Sequence, residues 1–260
     1  MNTSQLNTAN IKNLTALWKV MGSTPCTSHD MENFQQSVSW PHRCWHHFEQ
    51  AVNEIPTLNH NLKQLSEDCI IPLWKLQDTE TEQLEKSLQS NEFTISSEQT
   101  AMYLDLNNYP VMKDPSPLIR PIFSPQGVQV WTDIAANSFG YEIDINVIQK
   151  ILQHPDVHLY IIYEDNRPAA TAMLFKTGEV IGLHQLGVLP EFRGKGIARK
   201  MMYDLINLCA NTSSRYITLQ ASIAAERLYL QLGFTTQFKI TNYQRSNNAV
   251  SKEEQTLNYY

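Results

Sequence analysis

The feature that most constrains the fold is a passage from a strand, through a basic glycine loop, into a helix. Residues 180–189, VIGLHQLGVL, have the composition of a strand, and from Gly196 onward apolar residues recur at helical spacing. The loop between them carries Arg193, Gly194 and Lys195. Glycine leaves the N–H groups of a helix start accessible, and the helix dipole attracts negative charge. The loop therefore predicts a site for a phosphate-like anion.

Two well-known phosphate loops do not fit these residues. A P-loop has four residues between its first glycine and its Gly-Lys pair, whereas six separate Gly187 from Gly194, and Gly196 follows Lys195 in place of Ser or Thr. The dinucleotide fingerprint GxGxxG fails because Arg199 stands at its third glycine position. The alternative interpretation is an ordinary strand-to-helix turn with surface charges.

The charge balance limits the partners. The chain has 20 Lys and Arg against 26 Asp and Glu, a net charge of −6, so we expect no nucleic-acid partner and only a local anion site. No apolar run approaches the ~20 residues of a membrane span, and the N-terminus lacks a secretory pattern, so we expect no membrane partner. The cysteines are scattered without a CxxC pair, which favours reduced thiols in a cytoplasmic protein: Cys26, Cys44, Cys69 and Cys209.

The distribution of glycine divides the chain. None of the nine glycines lies between residues 23 and 126, so a cofactor that needs close backbone approach is expected in the C-terminal half. A boundary is expected in the Asn- and Pro-rich stretch 107–121. We predict an N-terminal α/β segment at 1–115, a second domain at 116–246 and a polar tail at 247–260. In the second domain, two helices and three meandering strands precede a helix, a strand, a helix and a strand.

Two motifs in this order resemble those of the GNAT superfamily of acetyl-CoA-dependent N-acetyltransferases. Residues 193–198, Arg-Gly-Lys-Gly-Ile-Ala, match the family's Q/R-x-x-G-x-G/A loop for the CoA pyrophosphate, and residues 224–234, AAERLYLQLGF, match its second motif. The resemblance covers roughly 118–245. It implies a mixed α/β (α+β) fold, with a central, mostly antiparallel sheet flanked by helices. It also implies an acyltransferase enzyme that uses acetyl-CoA and no metal.

The resemblance assigns roles to several residues. The CoA loop would be Arg193, Gly194, Lys195, Gly196, Ile197 and Ala198. The backbone of Leu186, Gly187 and Val188 would bind the acetyl carbonyl as an oxyanion site. Gly187 would mark a bulge that splays two strands, or be a plain strand glycine. Tyr229 matches the family's tyrosine that protonates the departing CoA thiolate, although burial alone would also explain an aromatic residue there.

The base is less defined. Some family members place a glutamate where this chain has Gly182, so a carboxylate base on that strand is missing. His184 matches one of two strand histidines of arylalkylamine acetyltransferases, and an ordinary pKa of about 6.5 suits a base that works through water. Period-two alternation would put His184 on one face with Gly182, Leu186 and Val188. A structural histidine is the alternative.

The acceptor side is predicted only in outline. The family shapes its acceptor pocket with the region that matches 138–144, SFGYEID, so Glu142 and Asp144 are candidates to bind a cationic amine. They could equally be solvated acids at a helix start. A small amine, a peptide N-terminus, a lysine and an aminated antibiotic all remain possible acceptors, and the protein would be a monomer or a homodimer.

The N-terminal segment carries no catalytic signature. Residues 39–52 are rich in Trp and His, but their spacing lacks the paired ligands of a structural zinc site, so aromatic packing is the better interpretation. Helices are expected at 8–21 and 81–90 and a strand at 100–106. Because residues 84–106 loosely resemble residues 226–244, the segment is either a degenerate second copy of the same fold or an unrelated accessory domain.

Three functions are compatible with this pattern. The first is an N-acetyltransferase that moves an acetyl group from acetyl-CoA to a primary amine by direct attack in a ternary complex. The second is a non-catalytic acyl-CoA-binding module, and the third is an acyltransferase for a longer acyl-CoA. Tyr229 favours an enzyme, and the missing carboxylate at Gly182 favours the binding module.

Overall fold

The computed structural model describes residues 1–26, 31, 33–46, 62–63, 65–76, 79–110 and 118–245. The predicted tail, the exact boundary near residue 115 and part of 39–52 lie outside these ranges. The α-helices are α1 (Thr3–Val20), α2 (Thr79–Ser90), α3 (Pro125–Phe139), α4 (Ile145–Ile151), α5 (Ile197–Ala210) and α6 (Ile223–Gln231). The strands are β1 (Thr24–Pro25), β2 (Phe34–Gln36), β3 (Cys44–His46), β4 (Ile71–Lys75), β5 (Phe93–Asp105), β6 (Ile119–Pro121), β7 (Val157–Glu164), β8 (Arg167–Thr177), β9 (Val180–Val188), β10 (Tyr216–Ser222) and β11 (Thr235–Arg245).

The chain divides into two compact units that do not follow the predicted boundary. Unit 1 comprises Met1–Met21, Met102–Leu219 and Arg227–Thr236. Unit 2 comprises the described residues of Gly22–Ala101, together with Gln220–Glu226 and 237–245. The N-terminal helix α1 therefore belongs to the same unit as the glycine loop, whereas the sequence groups it with the N-terminal segment.

The sheet of unit 1 is mixed and mostly antiparallel. β6, β7, β8 and β9 pair with their neighbours in antiparallel fashion, and β10 pairs with β9 in parallel. β7 and β8 are nearly continuous apolar runs, and most of their side chains are buried, as expected for strands covered on both faces. The parallel pair is possible because α5 supplies the long crossover between β9 and β10.

Helix α3 has strong local start and stop signals. The Ser124 hydroxyl accepts a hydrogen bond from the Gly127 N–H, Pro125 occupies the first turn, and Gly140 ends the helix with φ +73°. The Trp131 indole N–H donates to the Ala172 carbonyl at 3.2 Å, which attaches the buried face of α3 to β8. These contacts fix where the C-terminal end of α3 meets the sheet.

Helix α1 starts with a capping box and packs on β8 and β9. The Asn2 side chain accepts from the Gln5 N–H, and the Gln5 side chain accepts from the Asn2 N–H, both at 2.9 Å. Its buried face is mostly apolar but includes two asparagines: Leu6, Asn10, Ile11, Asn13, Leu14, Leu17 and Trp18. Asn10 and Asn13 are almost fully inaccessible, so their amides must find partners inside unit 1.

Unit 2 contains a three-stranded antiparallel sheet, β1–β2–β3, and an antiparallel pair of β4 and β11. Its core includes Phe34, Cys44, Leu88 and Phe93. No cysteine of the chain is in a disulfide. Within the described ranges, no helix is long and apolar enough to cross a membrane, and no cluster of three or more His, Cys, Asp or Glu residues could hold a metal ion.

Candidate active site

The loop between β9 and α5 leaves its two glycines open. Gly194 and Gly196 have φ +73° and +78°, the left-handed region that favours glycine. A Cβ built on either would meet no heavy atom within 4 Å beyond its chain neighbours. Lys195 between them is exposed. An external ligand can therefore approach this backbone without meeting a side chain of the loop.

Helix α5 begins without a side-chain cap. Gly196 is the N-cap residue and makes no side-chain hydrogen bond, and the Lys200 N–H is bonded to the Gly196 carbonyl at 3.0 Å. Because the first N–H groups of a helix have no acceptor within the helix, those of Ile197, Ala198 and Arg199 point past its N-terminus. They form a positively polarised end that fits an anionic group.

The Arg193 side chain fixes the shape of the loop. Its Nε donates to the Val188 carbonyl at 3.2 Å, and one terminal nitrogen donates to the Ser138 carbonyl at 2.8 Å. The guanidinium thus links the end of β9 to the last turn of α3, where its positive charge also complements the helix dipole. Two nitrogens of Arg193 that could donate to a phosphate therefore donate to carbonyl groups of the protein.

Strands β9 and β10 are paired over only part of their length. The parallel register joins Tyr216–Thr218 to Val180–Gly182. β9 continues for six more residues, to Val188, before the glycine loop begins. Divergence of two parallel strands exposes backbone N–H and C=O groups on their facing edges, which a ligand can bind.

A bulge corrects the predicted alternation of β9. Met173 of β8 is opposite His184 and Thr171 is opposite Gly187, so two residues of β9 face the single residue Ala172. Gln185, the first of these two, has φ +50°. Directly opposed residues share a face of the sheet, so Gly187, and neither Leu186 nor Val188, lies on the face of His184. The prediction from strict alternation was therefore wrong beyond His184.

The end of α3 covers Gly187. A Cβ at Gly187 would lie 2.7 Å from the Ser138 Cβ and 3.0 Å from the Phe139 ring. The Phe139 ring stacks on Tyr141, with centroids 5.6 Å apart, and Tyr141 is about half exposed. The bare backbone at Gly187 therefore lets α3 approach β9 closely, beside the segment predicted to bind the acetyl carbonyl.

Helix α1 covers the other end of the same face. The His184 side chain is 7% exposed, and its Nε2 lies 3.0 Å from Oδ1 of Asn13. The Asn13 Nδ2 donates to the Phe175 carbonyl at 2.9 Å and to the Thr177 hydroxyl at 2.8 Å. A Cβ at Gly182 would lie 1.8 Å from the Asn13 Oδ1, so only glycine leaves room for this amide.

Buried hydroxyls flank this part of β9. Thr218, the parallel partner of Gly182, is fully buried, and its hydroxyl has no hydrogen-bond partner among the described residues. The same holds for the Ser138 hydroxyl beside Gly187. Buried hydroxyls of this kind are normally satisfied by ordered water or by a ligand. They make the face a plausible place for bound water.

Tyr229 lies in the last turns of α6 and is 6% exposed. Its ring contacts Phe234 edge-on, with centroids 5.6 Å apart, and the Phe234 N–H donates to the Tyr229 carbonyl at 3.0 Å. Burial raises the pKa of the Tyr229 phenol far above its ordinary value, so the hydroxyl keeps its proton at any physiological pH. A neutral phenol is the form that a proton donor needs.

The two predicted acceptor residues have different surroundings. Asp144 is the N-cap of α4, and its carboxylate accepts from the Asn146 N–H at 2.9 Å. Glu142 is exposed in the turn between α3 and α4. Asp144 is therefore an acid at a helix start, which was the alternative to a role in binding the amine. The Glu142 carboxylate faces solvent.

Sequence reasoning missed Asn13 and Ser138. The available signal was Asn10 and Asn13 within the apolar stripe of α1, because a buried amide on such a stripe needs a specific partner. Their partner strand could not be identified from the sequence, since Asn13 and His184 are 171 positions apart.

Comparisons with known proteins agree with this architecture. Residues 120–234 match the sequence model of the acetyltransferase (GNAT) family. No curated protein matches the chain. A GCN5-related N-acetyltransferase from Kribbella flavida is similar in structure over 96% of this chain and 97% of its own, with 15% identity and a TM-score of 0.67.

Two further solved structures are similar over most of the chain. A GCN5-related N-acetyltransferase from Sphaerobacter thermophilus has 13% identity and a TM-score of 0.57, covering 82% of this chain and 76% of its own. A protein of unknown function from Staphylococcus epidermidis has 14% identity and the same TM-score, covering 87% and 95%. At these identities the likeness concerns the fold, and it confirms the predicted mixed sheet flanked by helices.

Proposed function

We propose that this chain, whose residues 120–234 form a GNAT acetyltransferase domain, moves an acetyl group from acetyl-CoA to a primary amine by direct attack in a ternary complex. The observation that carries the proposal is the uncapped N-terminus of α5 behind two open glycines, next to strands whose pairing stops early. The family supports acyl transfer in general.

The loop Arg193–Ala198 would bind the CoA pyrophosphate. The N–H groups of Ile197 and Ala198 provide donors, Gly194 and Gly196 leave them accessible, and Lys195 adds a positive charge at the rim. Arg193 would hold the loop in shape while its charge favours the anion. Bound acetyl-CoA supplies an activated thioester.

The backbone of Leu186, Gly187 and Val188 would stabilise charge that develops on the acetyl oxygen. These residues directly follow the bulge at Gln185, which turns the backbone out of regular alternation. Fixed N–H donors in a partly buried site are an effective way to lower such a barrier. The close packing of α3 on Gly187 would keep this segment rigid.

Proton transfers complete the reaction. The amine nitrogen forms a bond to the acetyl carbon, the carbon–sulfur bond breaks, and the Tyr229 phenol gives its proton to the departing thiolate. The second proton, which the nitrogen loses as it becomes an amide, would return through water to Tyr229 and restore the neutral phenol. Burial raises the pKa of the Tyr229 phenol, which keeps the hydroxyl protonated until the thiolate departs. His184 would accept the proton of the incoming ammonium through water, which the unpaired Thr218 hydroxyl could help to hold.

The acceptor would be a small cationic amine or a peptide amine, approaching past the turn between α3 and α4. Glu142 is the exposed carboxylate available to attract it, and Asp144 would act mainly through its charge, since it caps α4. The protein would act as a monomer or a homodimer in the cytoplasm.

The second candidate is a module that binds acyl-CoA without chemistry. The observation in its favour is that Gly182 carries no carboxylate, while His184 is buried beneath α1. A panel of amines separates the two functions: 2-phenylethylamine, spermidine, Nα-acetyl-lysine, an alanine-terminated peptide and kanamycin. Thiol release from acetyl-CoA with at least one of these amines is expected. Calorimetric binding of one acetyl-CoA per chain, without turnover of any amine, would favour the module.

The Tyr229→Phe variant sharpens this test. We expect kcat to fall about 10²–10⁴-fold, the usual worth of general acid catalysis, with an unchanged acetyl-CoA dissociation constant. Phe234→Leu is the matched control, because it alters the ring contact of Tyr229 but keeps the hydroxyl. Wild-type turnover in Tyr229→Phe would show that the hydroxyl only packs.

A further inference from the structure

The space in front of Gly182 is filled by a side chain from a distant helix. The Asn13 Oδ1 lies 1.8 Å from the position that a Cβ of residue 182 would take. A longer side chain at 182 and Asn13 on α1 therefore exclude one another. The neutral amide oxygen of Asn13 thus lies beside His184, in the space that a side chain at residue 182 would otherwise occupy.

The orientation of the Asn13 amide is fixed by its partners. Its Nδ2 lies 2.9 Å from the Phe175 carbonyl, and a carbonyl can only accept a hydrogen bond. The NH₂ group must therefore face β8, which leaves Oδ1 facing the Nε2 of His184 at 3.0 Å. Because an amide oxygen can only accept, the Nε2 must carry the hydrogen.

We propose that Asn13 is a positioning residue that holds His184 in the Nε2–H tautomer, so that Nδ1 is the nitrogen that accepts the proton. The inference rests on the proposed function for its catalytic meaning, but the tautomer can be tested without turnover. The same bond persists after protonation, since Nε2–H donates to Asn13 in both states. The imidazole thus keeps one orientation while Nδ1 takes the ammonium proton and later releases it to water.

The titratable side chains on the elements around His184 differ in their positions. Four of them are exposed to solvent: Lys12, Lys19, Asp133 and Arg167. Lys176 lies on the opposite face of the sheet from His184. Tyr216 lies on the same face as His184. A charge introduced at residue 13 would act directly on the imidazole, because the Asn13 Oδ1 lies 3.0 Å from the His184 Nε2.

The first experiment is ¹⁵N NMR of the histidine side chains in the full chain, with the His184 signals assigned by their loss in His184→Gln. We expect the neutral ring of His184 to be entirely Nε2–H, with the shift of an unprotonated nitrogen at Nδ1. In Asn13→Leu, signals of both tautomers should appear. A wild-type ring protonated at Nδ1, or tautomer populations that do not change in Asn13→Leu, would overturn the inference.

The second experiment places a charge at the same position. In Asn13→Asp, the carboxylate faces the imidazole, so the NMR titration midpoint of His184 should rise by about 1–3 pH units. Asn10→Asp is the matched control: it changes another buried amide of α1, whose Nδ2 donates to the Met102 carbonyl, and should move the midpoint far less. Equal shifts of the midpoint in the two variants would mean that His184 responds to any negative charge on α1 and not specifically to the residue at position 13.

Activity then separates this inference from the proposed function. With the best amine of the panel, Asn13→Leu should lower kcat/KM about 10–100-fold, as loss of an orienting partner typically does, and leave acetyl-CoA affinity unchanged. If the NMR results hold but the wild-type protein turns over no amine, the proposed function fails and the tautomer assignment stands. If turnover is found and the tautomer is wrong, only this inference fails.

Discussion

Four glycines around β9 and its following loop have opposite surroundings. A side chain at Gly194 or Gly196 would meet open space, whereas one at Gly182 or Gly187 would collide with Asn13 or with the end of α3. The sequence shows four identical residues. The structure shows two glycines that leave backbone free for an external ligand and two that make room for the protein's own side chains.

The difference teaches that a bare backbone is not by itself a ligand site. At the open pair, positive φ angles and an uncapped helix leave donors facing outward. At the filled pair, close packing brings α1 and α3 onto the strand that carries His184. Substitution at the open pair should therefore affect binding, and substitution at the filled pair should affect stability and geometry.

The largest effect is expected at Gly196. Gly196→Glu should weaken acetyl-CoA binding about 10³-fold, because two unit charges 4 Å apart near a protein surface repel by about 4 kcal/mol. Gly196→Lys carries the same backbone strain with the opposite charge and should retain affinity. Calorimetry at low salt measures both. Equal losses in the two variants would assign the effect to strain and remove the anion from the explanation.

Gly182→Ala should be the most destabilising change of the filled pair. The new methyl group would lie 1.8 Å from the Asn13 Oδ1 and 2.3 Å from the His184 Nε2, so it displaces the Asn13 amide, which makes three hydrogen bonds. At about 1 kcal/mol each, we expect the free energy of unfolding in urea to fall by about 3 kcal/mol. The double variant with Asn13→Ala should lose less than the sum of the two single variants. Strict additivity would show that the two positions do not compete for space.

How much of this was predictable depends on the range of the interactions. The loop, the order of elements in residues 125–245 and the α5 helix follow from local patterns, namely glycine placement and apolar periodicity. A bulge was predicted at Gly187, but Gly187 is paired regularly with Thr171, and the position of the bulge at Gln185 could not be foreseen because it depends on the register with β8. The contact of Asn13 with His184 was equally hidden, since it joins an N-terminal helix to a strand much later in the chain.

Gly187→Ala should have a smaller effect on stability than Gly182→Ala. The Ser138 Cβ at 2.7 Å is held by helix backbone, so α3 must move by a few tenths of an ångström, at a cost of about 2 kcal/mol for overpacking. Because this segment is proposed to bind the acetyl oxygen, kcat should fall as well. Ser138→Gly is expected to recover part of both losses. A Gly187→Ala variant with unchanged stability and normal kcat would mean that α3 can move away from β9 at little cost in free energy.

The smallest effect is expected for Gly194→Ala. Nothing obstructs the methyl group, so only the left-handed backbone is penalised, by about 1 kcal/mol of unfolding free energy. Acetyl-CoA affinity should change by less than tenfold. A loss as large as that of Gly182→Ala in the same urea titration would contradict the distinction between open and filled glycines.

The attachment of α1 to β9 also has a consequence for how the protein is made. Asn13 and His184 are 171 positions apart, so at about 5–20 residues per second the ribosome needs roughly 10–30 s to deliver the strand after the helix. During that interval the apolar stripe of α1 lacks its final partner and is open to chaperones or to other nascent chains. The glycine loop follows β9 within a few residues. The glycine loop and Asn13 are thus synthesised roughly 10–30 s apart, and the contacts of α1 with β9 can form only after the later segment has been made.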